Sequence, residues 1–547
     1  MSSIPFVIGI TGHRDLRPQD IPLLTRMIRE QFSRWMRMCP HTDFYCMTSL
    51  AEGADQLCGS IAVELGMHLI VPLPMEQVDY EQDFSGTALE QFRALLDRAD
   101  RVFVAPDIEK QARADSDYAY RKAGIYLARH CHVLLALWDG LAGESGCCGT
   151  AETVEFKTKK RYSAPDSLLN TPSEGLALQL VTPRATKEAM PENALTLRWL
   201  CDPATLENLL NQTEAFNRDA LRADVSTSEG VLDEQTVQAI GEAAGTLQQV
   251  YLRADALALR YRDIYLTLIK LLCAVGALLV ACFLFYDELE SNLFLVVYGL
   301  VALAALVLYL IAKRDGCHRR YIEYRLFSET LRVQLNLCAS GLSICADDLT
   351  SWSQKTICPW IQAAINALQL FPSEKACTRA DVRAIWLQKQ LEYQTAAYQA
   401  NLKKQKHQSR ISGVLLSATI LFFVVVLVLE FLFPAWIGRE IALPDWLLRL
   451  AQAHGAHFFS MRSVMKILLG IIPAFAFVVT SYYGKLSLAR KLADGTRMIA
   501  LYSQALIAYD DPQTDQNRLL TELAREELAE TGGWFSYVSE NTPDILI

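Results

Sequence analysis

Three glycine-containing turns, each following an apolar run, carry the residue types that hold a phosphate. The first is Thr11-Gly12-His13-Arg14 in "GITGHRD". Gly12 admits close approach of the backbone to a ligand, and the Arg14 guanidinium matches a phosphate bidentately. The second is "TSLAEGADQL" (Thr48–Leu57). Ser49, Leu50, Ala51, Glu52 and Gly53 make the turn, and Asp55 opens a helix whose N-terminal amides face a phosphate or carboxylate. The third is "SGCCGTAE" (Ser145–Glu152), where Gly149 and Thr150 lead into a helix bearing Glu152 and Glu155. Arg121 and Lys122 stand on the helix before that strand. No turn contains Gly-Lys-Ser/Thr, and no G-x-G-x-x-G follows the first strand, so a P-loop and the usual dinucleotide fingerprint are excluded.

Thiol and metal chemistry are poorly served. The 14 cysteines are scattered without a CxxC pair, which implies neither a disulfide framework nor a zinc ribbon and fits a reducing compartment. Cys147 and Cys148 are adjacent in the third turn and small enough to fit it without acting through sulfur. In "HCH", His130 and His132 enter a strand and would share a face, but two ligands without a third favour core or surface histidines over a metal.

The elements that position these turns read as strands alternating with helices. The strand runs are Phe6–Ile10, Phe44–Ser49, His68–Leu73, Arg101–Ala105, His132–Trp138 and Ala177–Pro183. A helix after the first strand places Ile21, Leu24, Ile28, Phe32 and Trp35 on one face. This alternation predicts an α/β, Rossmann-like parallel sheet, with ligands beyond the carboxyl ends of its strands.

A hydrophobic fraction of 51% in 547 residues is high for a soluble enzyme, and the excess is concentrated in four blocks. These are 265–285, 293–312, 412–433 and 467–484, each about the ~20 residues a bilayer crossing needs. A helical pattern runs without proline from Leu232 into the first block. Basic residues flank the outer limits of each pair: Arg253, Arg260 and Arg262; Lys313, Arg314, Arg319 and Arg320; "KKQKHQSR" (Lys403–Arg410); Lys485, Arg490 and Lys491. The turn "YDELESN" is acidic. Both termini are therefore expected on the cytoplasmic side. Each pair follows a long polar helix and precedes a basic one, which suggests an internal duplication. Thr378 and Asp381 form a capping box at the start of the second unit. Glu430 and Lys466 pair, line a pore, or snorkel to the interface; Lys270 snorkels. A net charge of −9 without a basic tail disfavours a nucleic-acid polymer as ligand. The expected domains are 1–190, the α/β domain; 191–228, a linker with a short helix; 229–345, a first two-span unit; 346–377, connecting helices; and 378–547, a second two-span unit.

Two of the turns resemble known motifs. "YAYRKAGIYLARHCHVLLALW…SGCCGTAETVEF" is similar to the Arg-Lys helix, strand and "PGGxGTxxE" turn of the lonely-guy (LOG) phosphoribohydrolases. "SLAEGAD" is similar to the "SGLARGID" turn of the DNA-processing protein A (Smf) family. Together, over about Pro5–Arg184, they resemble the SLOG superfamily of Rossmann-like domains, and the paired spans resemble SLATT membrane domains in architecture. The resemblance implies a nucleotide ligand touched by Thr11, Gly12, His13, Arg14, the Ser49–Gly53 turn, Asp55, Arg121, Lys122, Gly149, Thr150 and Glu152. It maps Arg121 onto the family's catalytic arginine, whereas Thr153 stands at the catalytic glutamate and Glu152 falls one residue early, roughly 100° around the helix. The insertion "DGLAGE" is a further departure. What it implies is a sensor of a nucleotide messenger, ADP-ribose-like or a cyclic oligonucleotide, made by a partner TIR-type enzyme or nucleotidyltransferase. Such a sensor would be a homo-oligomeric effector of bacterial antiviral defence in the inner membrane, needing no other cofactor. The alternatives are a membrane-tethered phosphoribohydrolase or NAD-consuming enzyme using Arg121 and Glu152, and a transport or structural protein that the α/β domain regulates.

Overall fold

The computed structural model describes residues 3–107, 117–141, 149–159, 175–187, 190–289, 292–351, 355, 357–370, 375–439, 441, 460–485 and 487–540. The chain divides into two compact units. One comprises residues 1–257, 326–382 and 520–532, the other 258–325, 383–519 and 533–547.

The first unit is built on a seven-stranded sheet: β1 (Phe6–Gly12), β2 (Phe44–Met47), β3 (His68–Leu73), β4 (Arg101–Val104), β5 (Val133–Trp138), β6 (Leu176–Val181) and β7 (Leu197–Trp199), in the order β4-β3-β2-β1-β5-β6-β7. Strands β1 to β6 pair in parallel, and β7 pairs antiparallel to β6. The central strands are apolar on both faces because helices cover both, as a parallel sheet requires. The antiparallel β7 has no counterpart in the sequence reading. It is three residues long and mostly exposed, so no apolar run betrays it.

Helices α1 (Ile21–Met38), α2 (Ala54–Glu64), α3 (Gln77–Tyr80), α4 (Gly86–Leu96), α5 (Tyr118–His130) and α6 (Thr150–Lys159) follow their strands. On α1 the predicted stripe is buried at Leu24, Ile28, Phe32 and Trp35, but Ile21 in the first turn is exposed. The stretch 191–228, expected as a linker with a short helix, supplies β7 and that helix, the 18-residue α7 (Pro203–Ala220). Asn217 of α7 is tied to β1's approach: its Oδ1 accepts from the Ile4 amide at 2.9 Å and its Nδ2 donates to the Ile4 carbonyl at 2.9 Å. Later segments complete the same core. Phe216, Phe327 and Trp360 meet edge-to-face or tilted, with ring centroids 5.2 to 6.1 Å apart, and the Tyr126 hydroxyl donates to the Leu370 carbonyl at 2.7 Å.

The helix expected to run unbroken from Leu232 is interrupted. Helix α8 (Glu234–Ile240) stops at Gly241, whose φ of 108° is open to glycine alone, and α9 (Glu242–Leu289) then begins. Capping at Thr378 and Asp381 is reciprocal: the Asp381 amide donates to Thr378 Oγ1 and the Thr378 amide to Asp381 Oδ2, each at 3.3 Å.

The second unit is helical. Besides α9 it contains α10 (Asn292–Asp315), α11 (Cys317–Ala339), α12 (Lys389–Leu432), α13 (Met461–Lys485) and α14 (Leu488–Asp510), the first and third of these six shared with the sheet unit at one end. Four helices are long and apolar enough to cross a membrane, which makes this a membrane protein by length and composition. Their apolar residues lie exposed, among them Leu271, Leu300, Val414, Leu421 and Phe477, as a lipid-facing surface would. Tyr261 and Tyr265 of α9 meet Tyr324 and Tyr321 of α11. On the other hairpin, Arg383 pairs with Asp510 at 2.8 Å and Gly495 packs on Tyr398. Glu430 and Lys466 do not pair with each other. Glu430 meets Arg462 at 2.7 Å and Lys466 meets Glu288 at 2.9 Å. Lys270 lies 5.9 Å from the centroid of the Tyr482 ring, a cation–π contact.

Candidate functional site

The strand order reverses between β1 and β5, since β2 lies on one side of β1 and β5 on the other. At such a point the loops leaving the two strands splay apart and open a crevice. Thr11, Gly12, His13 and Arg14 leave β1 there, and Trp138 and Asp139 leave β5.

The first two glycine turns pack on each other. A β-carbon on Gly12 would stand 2.4 Å from Ala54 Cβ and 2.9 Å from the Leu137 carbonyl oxygen. One on Gly53, where φ is 84°, would stand 2.3 Å from the Arg14 carbonyl oxygen. The Ala54 amide donates to the His13 carbonyl at 3.1 Å. Both glycines are therefore required by loop-on-loop packing. The amides of α2's first turn are also partly engaged, since the Gln56 amide donates to the Ala51 carbonyl at 3.3 Å.

In the second turn, Ser49 Oγ donates to the Pro72 carbonyl at 2.8 Å, and Leu50 is fully buried with a left-handed backbone, φ 55°. A non-glycine residue held there is strained, and the Leu50 amide is restrained by donating to Thr48 Oγ1 at 3.1 Å. Ala51 is half-buried and Glu52 exposed. Asp55 is buried, and burial pushes its carboxyl up to about 7 although the Thr48 hydroxyl, the Ala51 amide and the Arg14 charge favour the ionised form.

Two charged networks flank the crevice. On the β2 side, Arg14 Nη2 lies 3.4 Å from Asp83 Oδ2, and the Tyr120 hydroxyl donates to the same oxygen at 2.6 Å. On the β5 side, the Asp139 amide donates to His13 Nε2 at 3.0 Å, which fixes the neutral ring's remaining proton on Nδ1. Burial holds the His13 ring below its ordinary range despite the nearby Asp139 charge. Asp139 Oδ2 accepts from Lys187 at 3.1 Å, and Asp15 accepts from Arg184 Nε at 3.0 Å. Burial raises the Asp15 and Asp139 carboxyls, but hydrogen bonds from the Thr186 hydroxyl and Arg184 to Asp15, and from the Leu141 amide and Lys187 to Asp139, outweigh it and hold both below the usual range.

Arg121 and Glu152 are brought together, Nε to Oε1 at 3.2 Å. Lys122 reaches Asp107 at 3.3 Å. Thr153 turns inward instead: a β-carbon on Gly124 would lie 2.8 Å from its hydroxyl. Thr150 is half-buried; Gly149 is exposed, and a β-carbon there would meet nothing within 4 Å. Cys147, Cys148 and the second half of "DGLAGE", residues 142–144, lie outside the described residues.

The sequence motifs do not single out Asp15, Asp83, Tyr120, Asp139, Arg184 and Lys187. Asp139 and Arg184 carried a usable signal, as each stands just past the end of a parallel strand. Asp83, at the end of a 3-10 turn, and Tyr120, in the first turn of α5, reach the site from separate elements and carried none. His130 and His132 do not share a strand face. His130 ends α5 and its Nδ1 lies 2.7 Å from the Asn366 carbonyl, whereas His132 Nδ1 accepts from the Val7 amide at 3.0 Å. Burial pushes both rings down to about 3, so both are neutral core groups. Among the described residues no group of three or more His, Cys, Asp and Glu could hold a metal ion, and none of the twelve described cysteines is in a disulfide. Neither the family models nor the curated proteins include one that matches the chain.

Proposed function

We propose that this chain is a nucleotide-gated membrane effector. Its α/β domain, of the SLOG type, takes a phosphate-bearing messenger in the crevice between β1 and β5. The carrying observation is that Arg14, His13, Arg121 and the exposed Gly149 lie around a strand-order reversal, in a chain that also has four helices able to span a bilayer. The messenger is an ADP-ribose derivative or a cyclic oligonucleotide supplied by a TIR-type or nucleotidyltransferase partner. Its binding favours an assembly in which the spans, two SLATT-like hairpins arisen by duplication, permeabilise the inner membrane as a homo-oligomer during antiviral defence. Both termini face the cytoplasm. A ligand moves such an equilibrium only by its differential affinity for the two states. In proteoliposomes loaded with dye, one messenger class should cause release. Arg14→Ala, at an exposed position, should weaken the response at least tenfold. Absence of both binding and release with every class would overturn the proposal, as would an undiminished response in the variant.

The Arg121–Glu152 pair favours a second reading, a nucleotide N-glycosidase, because a carboxylate and a guanidinium at 3.2 Å supply a base and an anion clamp. Release of free base from AMP or NAD, abolished in Glu152→Gln, would favour this reading over the first.

A further inference from the structure

In the helical unit, Arg262 of α9, Lys404 of α12 and Lys491 of α14 each lie on a helix just outside an apolar block. Arg262 precedes Tyr265, Lys404 precedes Ser412, and Lys491 follows Gly484. At 1.5 Å per residue along α9 and α12, Arg262 and Lys404 stand roughly 5 to 12 Å from the blocks, the depth of a lipid headgroup.

Packing draws them together. The Arg383–Asp510 and Tyr398–Gly495 contacts share one antiparallel register, since fifteen residues separate 383 from 398 and 495 from 510. Carried four residues further, that register sets Lys491 level with Leu402, about half a turn from Lys404. The charges of both Lys404 and Arg262 act on the Lys491 ammonium. Arg262 has a carboxylate partner in its neighbour Asp263, 2.9 Å away. Among the described residues neither Lys404 nor Lys491 has one. Nearby Arg490 is engaged elsewhere, with Asp494 at 3.5 Å and the Gly533 carbonyl at 2.9 Å.

We propose that Lys404 and Lys491, with Arg262, bind the phosphate of an anionic glycerophospholipid. Like charges held together without carboxylates repel, and an anion between them relieves the repulsion. A lipid is favoured over free phosphate because the same helix continues into outward-facing Val414 and Leu416, which offer a surface for an acyl chain.

The test uses the full-length protein in detergent, titrated with phosphatidylglycerol, phosphatidylcholine or inorganic phosphate. Unfolding midpoints and native mass spectra give the readout. Phosphatidylglycerol should raise the wild-type midpoint and be retained in the spectra, and phosphatidylcholine should do neither. Lys404→Gln/Lys491→Gln should weaken retention by about tenfold or more, while its midpoint without lipid rises because the repulsion is gone. Lys491→Arg should retain the lipid. Equal responses to the two lipids, or a double variant that retains phosphatidylglycerol as the wild type does, would overturn the site. A full response to inorganic phosphate alone would overturn the lipid assignment. A double variant with a lowered lipid-free midpoint would overturn the unrelieved repulsion on which the site rests.

Discussion

Burial keeps the Asp55 carboxyl protonated up to about pH 7 in the folded chain, whereas in the unfolded chain it ionises near 3.8. Between these values the folded state holds a proton that the unfolded state has released. Stability therefore falls as pH rises from about 4 to about 7 and is level above that. Asp55→Asn keeps the size and one acceptor but has no proton to lose. Relative to wild type, the variant should gain on the order of 2–4 kcal/mol between pH 4 and pH 8. Unfolding midpoints at the two pH values check this, and a pH-independent difference would contradict it. The glycines divide just as sharply. Gly12→Ala must displace Ala54 or the Leu137 backbone and should cost about 1–3 kcal/mol. Gly149→Ala meets open space and should leave the midpoint unchanged while weakening any ligand whose phosphate approaches that backbone. Spacing alone assigns these glycines one role, and the structure separates them by what stands opposite, which no local pattern contains.

At the scale of elements, the sheet was legible because parallel strands covered on both faces, such as β5 with "VLLALW", are apolar throughout. Short, exposed β7 and the stop at Gly241 were not. Gly241 and Gly245 look alike in "AIGEAAG", yet only Gly241 takes a positive φ. Partners across the spans were equally hidden, because which helix faces which is set by packing. One such contact is open to test. A β-carbon on Gly470 of α13 would lie 2.5 Å from Leu284 Cδ1 of α9, a small residue letting two helices approach closely. Gly470→Ala needs only the flexible end of Leu284 to shift and should be nearly neutral. Gly470→Leu should lower the unfolding midpoint in detergent, and adding Leu284→Ala should recover part of the loss, since residues in contact couple. Equal, additive losses would mean that the two helices do not depend on this contact.

For the whole molecule, orientation follows from lysine and arginine near the span ends, and the two hairpins differ in how strongly these residues bias it. Around the first pair, the turn "YDELESN" holds no basic residue against Lys313, Arg314, Arg319 and Arg320 on the other side. Around the second, the 434–466 stretch carries Arg439, Arg449, Arg462 and Lys466, opposed by Lys403, Lys404, Lys406, Arg410, Lys485, Arg490, Lys491 and Arg497. Arg462 and Lys466 are matched by Glu430 and Glu288, but acidic partners weigh little in this bias. The second hairpin is thus the one whose orientation can be reversed. Replacing Lys403, Lys404, Lys406 and Arg410 with glutamine leaves four basic residues against four and so removes the bias. An epitope inserted at 450 should then lose its labelling by a membrane-impermeant reagent in a fraction of molecules, whereas one at 290 keeps it. In the unaltered chain both epitopes should be labelled and a fluorescent protein at the C-terminus should fold inside. Labelling at 290 lost together with that at 450 would mean the four spans orient as one block, with the first pair held by its packing against the second.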